Sequence, residues 1–276
     1  MCLIDYHVHT PLCNHARGEM EAYVKQAIEL GLREICFLDH LTLRPDGGAL
    51  SMSPQEVPLY YQAARKLAKR YETRILVKVG LEVDFDLDTM DHARDIVNSH
   101  AFDAIGGSVH FLGHWNMVSH RGRDNCPYSD CQDMFAAYLD HVESMVDHSF
   151  FDFLCHLDVV GKFGDRPGDP MEEHWNRVIE KIAAKGLVVE VNTSGLRHPS
   201  GVIYPEPWLL QKLHKAGIRI ILGSDAHSPE QVGKDFDKAL DLVRKVGYER
   251  LVTFSKRQRG SISIDPSPLR LASGKA

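Results

Sequence analysis

Strand-like apolar runs alternate with amphipathic helical stretches along almost the whole chain, and this rhythm constrains the fold more than any other feature. The runs are Leu3–Tyr6, Glu34–Leu38, Ile75–Leu81, Ala104–Val109, Phe153–Cys155, Leu187–Val191 and Ile218–Gly223. Helical periodicity falls between them, over Glu19–Leu30, Val57–Tyr71, Asp88–Ser99, Met134–Asp147, Met171–Lys185, Pro207–Lys215 and Pro229–Val246. Repeated strand–helix alternation implies parallel strands joined by right-handed crossovers. No Gly-rich loop follows the first strand, which argues against an open dinucleotide-binding sheet. The expected fold is therefore α/β, a closed or nearly closed seven-stranded TIM-like barrel. A weak eighth strand is read at Leu251–Phe254, and Gly106-Gly107 reads as a close-packing feature inside a strand. Residues 1–255 are expected to form one barrel domain. Residues 256–276, rich in Ser, Pro, Lys and Arg, are expected to be a tail that is poorly ordered at its end.

In parallel barrels the C-terminal strand ends converge on one rim, where chemistry is done. The residues at those ends are His7 and His9 after the first strand, Asp39-His40 after the second and Glu82 after the third. His110, His156 and Asn192 follow the next three, and Asp225 with His227 the seventh. Six of the seven ends thus carry a metal-ligand residue type. Residues two apart in an extended segment share a face, so His7 with His9, and Asp225 with His227, can each address one ion. His15 can curl back from the loop after the first strand. A lone His-x-His is weak evidence, because most histidines are simply hydrogen-bonded or exposed. Nine such residues obeying one geometric rule are not explained that way. Glu82 suits a bridging position, and nine ligands exceed the four that satisfy one zinc. Two or three divalent ions, Zn, Mn or Fe, are expected. The other histidines among the sixteen read as ordinary, with His114 and His120 the exceptions to watch because they lie in the loop above the rim.

These motifs resemble those of the PHP (polymerase and histidinol phosphatase) superfamily. The resemblance rests on Asp5-Tyr6-His7-Val8-His9-Thr10, Cys13-Asn14-His15, Leu38-Asp39-His40, Gly80-Leu81-Glu82, Cys155-His156-Leu157-Asp158 and Gly223-Ser224-Asp225-Ala226-His227. Within it, Ser108-Val109-His110-Phe111 and Asn192-Thr193-Ser194-Gly195-Leu196-Arg197 are similar to the histidinol-phosphate phosphatase branch. The resemblance implies one ion on His7, His9, Glu82 and Asp225, a second on Glu82, His110 and His156, and a third on His15, His40 and His227. Asp39 reads as a partner that fixes an imidazole.

The implied activity is phosphomonoester hydrolysis in histidine biosynthesis, by attack of a metal-bridging hydroxide on phosphorus. Arg197 is the first candidate for clamping phosphate, since guanidinium offers a fixed fork of donors, and Lys162 is the second. Arg17, Arg121 and Arg123 are weaker candidates. The acid for the leaving oxygen is open between His227 and Asp225. The connection from Phe111 to Cys131 is expected to cover the substrate, with Trp115 or Phe111 against its ring.

The alternatives are another phosphatase or a phosphodiesterase of the same superfamily, for instance one acting on nucleotides. The formal net charge of −6 disfavours a nucleic-acid groove. A barrel hydrolase of amides would place a carbamylated lysine where Glu82 stands. A non-catalytic metal module would close its site with four ligands. The expected partner is a small phosphorylated molecule rather than a membrane or nucleic acid, and the oligomeric state is left open. Six cysteines without a Cys-x-x-Cys pair, and no basic-then-apolar leader, point to reduced thiols in the cytoplasm, although Cys126 and Cys131 share a loop.

Overall fold

The computed structural model describes residues 3–45, 47–148 and 150–264. Seven parallel strands form one sheet in chain order: β1 (Leu3–Val8), β2 (Leu32–Leu41), β3 (Leu76–Asp84), β4 (Ala104–Ser108), β5 (Phe153–Leu154), β6 (Val188–Asn192) and β7 (Ile220–Gly223). Helices α1 (Met20–Glu29), α2 (Val57–Tyr71), α3 (Met90–Asn98), α4 (Cys131–Asp147), α5 (Glu172–Lys185), α6 (Pro207–Lys215) and α7 (Phe236–Val246) follow the strands in turn. Between β7 and β1 a single parallel bridge, Val8 with Ala226, closes the barrel at its rim. Its hydrogen bonds are His9 N to Ala226 O at 2.9 Å and Ala226 N to His7 O at 3.2 Å. The nearly closed seven-stranded barrel expected from the alternation is the observed fold.

Three details depart from the periodicity. The last helix is shorter than expected, because Gly233 and Asp235 take positive φ and break the run between a turn at Pro229–Gln231 and Phe236. The eighth strand exists but does not join the barrel. β8 (Arg250–Ser255) pairs antiparallel with β9 (Gln258–Ser263), so the described chain continues in regular structure past residue 255. The expected disorder at the end of the tail falls on residues 265–276, outside the described residues.

Gly106 and Gly107 are explained by close approach. A Cβ at Gly106 would lie 2.6 Å from Cys155 Sγ, and one at Gly107 2.7 Å from the Phe151 ring. The two glycines let β5 and its neighbours pack against β4.

The hairpin lies across the N-terminal end of the barrel. Lys256 N and Arg257 N bond to Asp103 just before β4, the Arg257 side chain to Asp152 just before β5, and Arg259 to the Gly186 carbonyl just before β6. Inside that end, Phe254 packs on Phe153 and Tyr6. The fully buried Tyr6 hydroxyl lies 2.6 Å from Glu34 Oε2 and accepts a 2.8 Å bond from Phe254 N. Tyr6→Phe would leave a buried carboxylate and a backbone N–H unsatisfied. It should cost about 1–3 kcal/mol in chemical denaturation and leave bound metal unchanged, since the metal-type residues sit at the other end. An unchanged midpoint would show that this interaction does not hold the hairpin.

Candidate metal centre

A β-bulge sets the aim of the first two histidines. Pairing advances from Asp5 to Val8 on β1 while it advances only from Ile35 to Phe37 on β2. The extra residue lets both Tyr6 and His7 reach the interior, Tyr6 toward Glu34 and His7 toward Glu82 and Glu190. His9, two residues on, again faces inward.

Glu82 is the hub of the cluster and its side chain has no exposed surface. Its Oε2 lies 3.3 Å from His7 Nε2, 3.7 Å from His9 Nε2 and 2.7 Å from His40 Nδ1. Its Oε1 lies 2.9 Å from His156 Nε2 and 3.5 Å from His110 Nε2, and those two nitrogens are 3.4 Å apart. Asp225 Oδ1 lies 3.0 Å from His9 Nε2 and 3.8 Å from His7 Nε2. His15, His40 and His227 form a three-imidazole group at the outer side, with His15 and His227 Nε2 atoms 2.9 Å apart. The structure thus brings together all nine expected ligands, and His40 stands between the outer group and Glu82.

The donor set fits divalent ions. Ligand atoms about 2.0–2.1 Å from a tetrahedral zinc lie about 3.3 Å from one another, close to the spacings around Glu82. His7 Nε2, His9 Nε2 and Glu82 Oε2 are buried without a hydrogen-bond partner, which is costly unless a cation takes their lone pairs. Burial opposes a proton on His9, but the Asp225 and Asp39 carboxylates beside it outweigh that and push the pKa up to about 9. Burial holds His40 down at about 4 despite Glu82 beside it. The carboxylates thus pull positive charge into the cluster. Two of the expected ligands also hold positive φ, His156 at 23° and Asp225 at 54°, a strain typical of functional sites.

A second row of acids orients the imidazoles. Asp39 Oδ1 faces His9 Nδ1 at 3.3 Å, and Asp39 also bonds Thr10, so the imidazole it fixes is that of His9. Glu190 is a residue of the cluster that the strand-end pattern misses. Its Oε1 lies 2.8 Å from His7 Nδ1 and its Oε2 accepts from His156 N at 2.9 Å. A Cβ at Gly223 would lie 2.0 Å from Glu190 Oε1, so only glycine leaves this carboxylate its place. Asp84, missed in the same way, accepts from His110 N at 3.0 Å and lies 3.6 Å from His110 Nδ1. A lone acid amid valines in β6, and an acid two residues after Glu82, are the signals the sequence offers for them.

A cavity of about 410 Å³ opens over the cluster. Arg197, Lys162 and His198 line it near Asp225, and Phe111, Leu50 and Val118 supply apolar wall elsewhere. Arg197 bonds the Ser224 carbonyl at 2.6 Å, which leaves its buried Nη1 without a partner. Burial lowers the Lys162 pKa, and burial with Lys162 nearby holds His198 down at about 4. Trp115, expected against the substrate, does not line the cavity. Its indole N–H donates to Gly122 O at 2.7 Å and its ring packs on Tyr128, so it secures the loop. His114 and His120 are likewise outside the lining, and Arg123 pairs with Asp165 at 2.8 Å. Among the described residues, Cys13, Cys36, Cys126, Cys131 and Cys155 are free thiols.

Residues 5–194 match the PHP domain family. The chain belongs to that family. A probable histidinol-phosphatase of Deinococcus radiodurans is 34% identical over 257 residues, covering 93% of this chain and 98% of that protein. The histidinol-phosphatase of Bacillus subtilis is 27% identical, covering 86% of this chain and 98% of that one. The crystal structure of histidinol phosphate phosphatase from Lactococcus lactis, complexed with zinc, L-histidinol and phosphate, superposes with a TM-score of 0.82 at 25% identity, over 94% of this chain and 98% of that one. This PHP chain therefore shares both family and barrel with phosphatases. No helix of the described residues is long and apolar enough to cross a membrane.

If Glu190 sets the tautomer and aim of His7, Glu190→Gln should weaken zinc affinity by about 10–100-fold with little change in secondary structure, read by competition with a chromogenic chelator. Because a bound ion must displace the His9 proton, affinity in the wild type should rise with pH between 6.5 and about 9. Undiminished affinity in the variant would remove Glu190 from the site.

Proposed function

We propose that the chain is a metal-dependent phosphomonoesterase that hydrolyses L-histidinol phosphate to L-histidinol and phosphate. The observation that carries this reading is the convergence of nine metal-type ligands beside a cavity whose near wall is basic. The similarity to histidinol-phosphatases over nearly the full chain supports the choice of ester.

Two or three divalent ions held by His7, His9, His15, His40, Glu82, His110, His156, Asp225 and His227 would neutralise the phosphate and lower the pKa of bound water toward about 7. The protein's own groups do the rest. Arg197 Nη1, buried and unpaired, is placed to donate to a phosphate oxygen, with its other arm fixed on the Ser224 and Asp225 carbonyls. Lys162, whose burial opposes its charge, gains from an anion beside it. Neutral His198 adds no competing charge. Asp225 and His227, 3.5 Å apart, border the cavity and are our two candidates for passing a proton to the leaving oxygen by way of bound solvent.

Zinc- or manganese-loaded protein should release phosphate from L-histidinol phosphate, measured colorimetrically. Arg197→Ala should raise KM by about 10–100-fold, as expected on removing one charge-assisted hydrogen bond of about 1.5–3 kcal/mol. Absence of phosphate release from any monoester would overturn the proposal, and faster cleavage of a diester would move the chain to the phosphodiesterases.

A further inference from the structure

Two separate segments supply further wall to the cavity beside the basic residues. Thr42 and Leu50 come from the connection after β2, and Phe111, Asn116, Val118 and Ser119 come from the hairpin region after β4. That hairpin, Phe111–Leu112 paired with Trp115–Asn116, has two residues per strand and is too short to hold itself. Something outside it must fix its position.

Arg44 is placed to do so. Its Nη1 pairs with Asp86 Oδ2 in the loop after β3, and its Nη2 donates to the Gly113 carbonyl at the hairpin turn. Its guanidinium carbon lies 5.3 Å from the centre of the Phe111 ring, within cation–π range. The Arg44 and Asp86 side chains are only 13% and 14% exposed, so the pair is shielded from screening by solvent. One side chain thus ties together three loops, each rooted at a different strand end. Arg44 itself does not line the cavity.

We propose that Arg44 is a positioning residue that fixes the Phe111 wall and thereby sets affinity for the organic part of the substrate, leaving the chemistry at the ions untouched. This rests on the phosphomonoesterase reading above. A planar fork is needed because two acceptors in different loops must be held at once, and lysine supplies one point charge instead.

The test compares zinc-loaded wild type, Arg44→Met and Arg44→Lys with L-histidinol phosphate. Arg44→Met should raise KM about tenfold with kcat within about twofold, because the Phe111 wall binds the organic group equally in ground and transition states. Bound zinc should stay at the wild-type level, and amide exchange at residues 111–118 should accelerate. Arg44→Lys should fall between the two in KM, keeping the Asp86 pair without the fork, and it serves if the methionine variant does not fold. A fall in kcat together with zinc would place Arg44 in support of the metal site and overturn the proposal. Accelerated exchange with an unchanged KM would overturn it too, since the wall would then not read the substrate. Should wild type release no phosphate from L-histidinol phosphate, the functional reading fails by itself. Exchange at residues 111–118 still decides the clamp, and unchanged exchange in both variants would overturn it.

Discussion

A single buried carboxylate organises the upper half of this barrel. Glu82 has no exposed side-chain surface, yet its two oxygens lie within 3.7 Å of five imidazoles contributed by β1, β2 and the ends of β4 and β5. An isolated carboxylate in such a place would be strongly disfavoured. The imidazoles compensate it only if positive charge is present, as protons or as metal ions. The surrounding backbone accepts strain at His156 and Asp225 to keep these groups converging. Outside them a second row of acids, Asp39, Asp84 and Glu190, fixes the rings from behind. The arrangement concentrates acceptors where cations belong, and Arg197 and Lys162 then face the cavity where an anion would meet those cations.

The two ends of the barrel divide the work. At the N-terminal end, the β8–β9 hairpin seals the interior through Phe254, Tyr6 and Phe153, and is anchored to residues just before β4, β5 and β6. This end is aromatic and contributes stability. At the C-terminal end, polar side chains replace apolar ones and the loops shape a cavity. The bulge at Tyr6–His7 is the joint between the two halves, because it lets neighbouring residues serve both ends from one strand.

Much of the site is legible in the sequence because strand period and strand order together forecast which residues meet. The spacing of His7 with His9 and of Asp225 with His227 translates directly into shared direction, and the seven strand ends into one rim. Local pattern cannot show the bulge, which depends on pairing with β2. Nor can it show Glu190, whose role appears only when β6 is set two strands from β1 around the barrel, with Gly223 on β7 leaving it room. The same limit explains Trp115. Its loop position suggests substrate binding, but its N–H finds the Gly122 carbonyl instead. The last hairpin is half visible, as one strand of a pair whose partner is polar and carries little hydrophobic signal.

Everything above the barrel's midpoint depends on these nine residues being one multinuclear centre rather than a set of hydrogen-bonded histidines. Metal-stripped protein, saturated with zinc and freed of excess by gel filtration, can be counted by mass spectrometry of the bound metal against protein concentration. A multinuclear centre predicts two to three zinc ions per chain, falling to one or none in Glu82→Ala. A wild-type protein that retains one ion or fewer, or a Glu82→Ala variant that retains the full number, would contradict it.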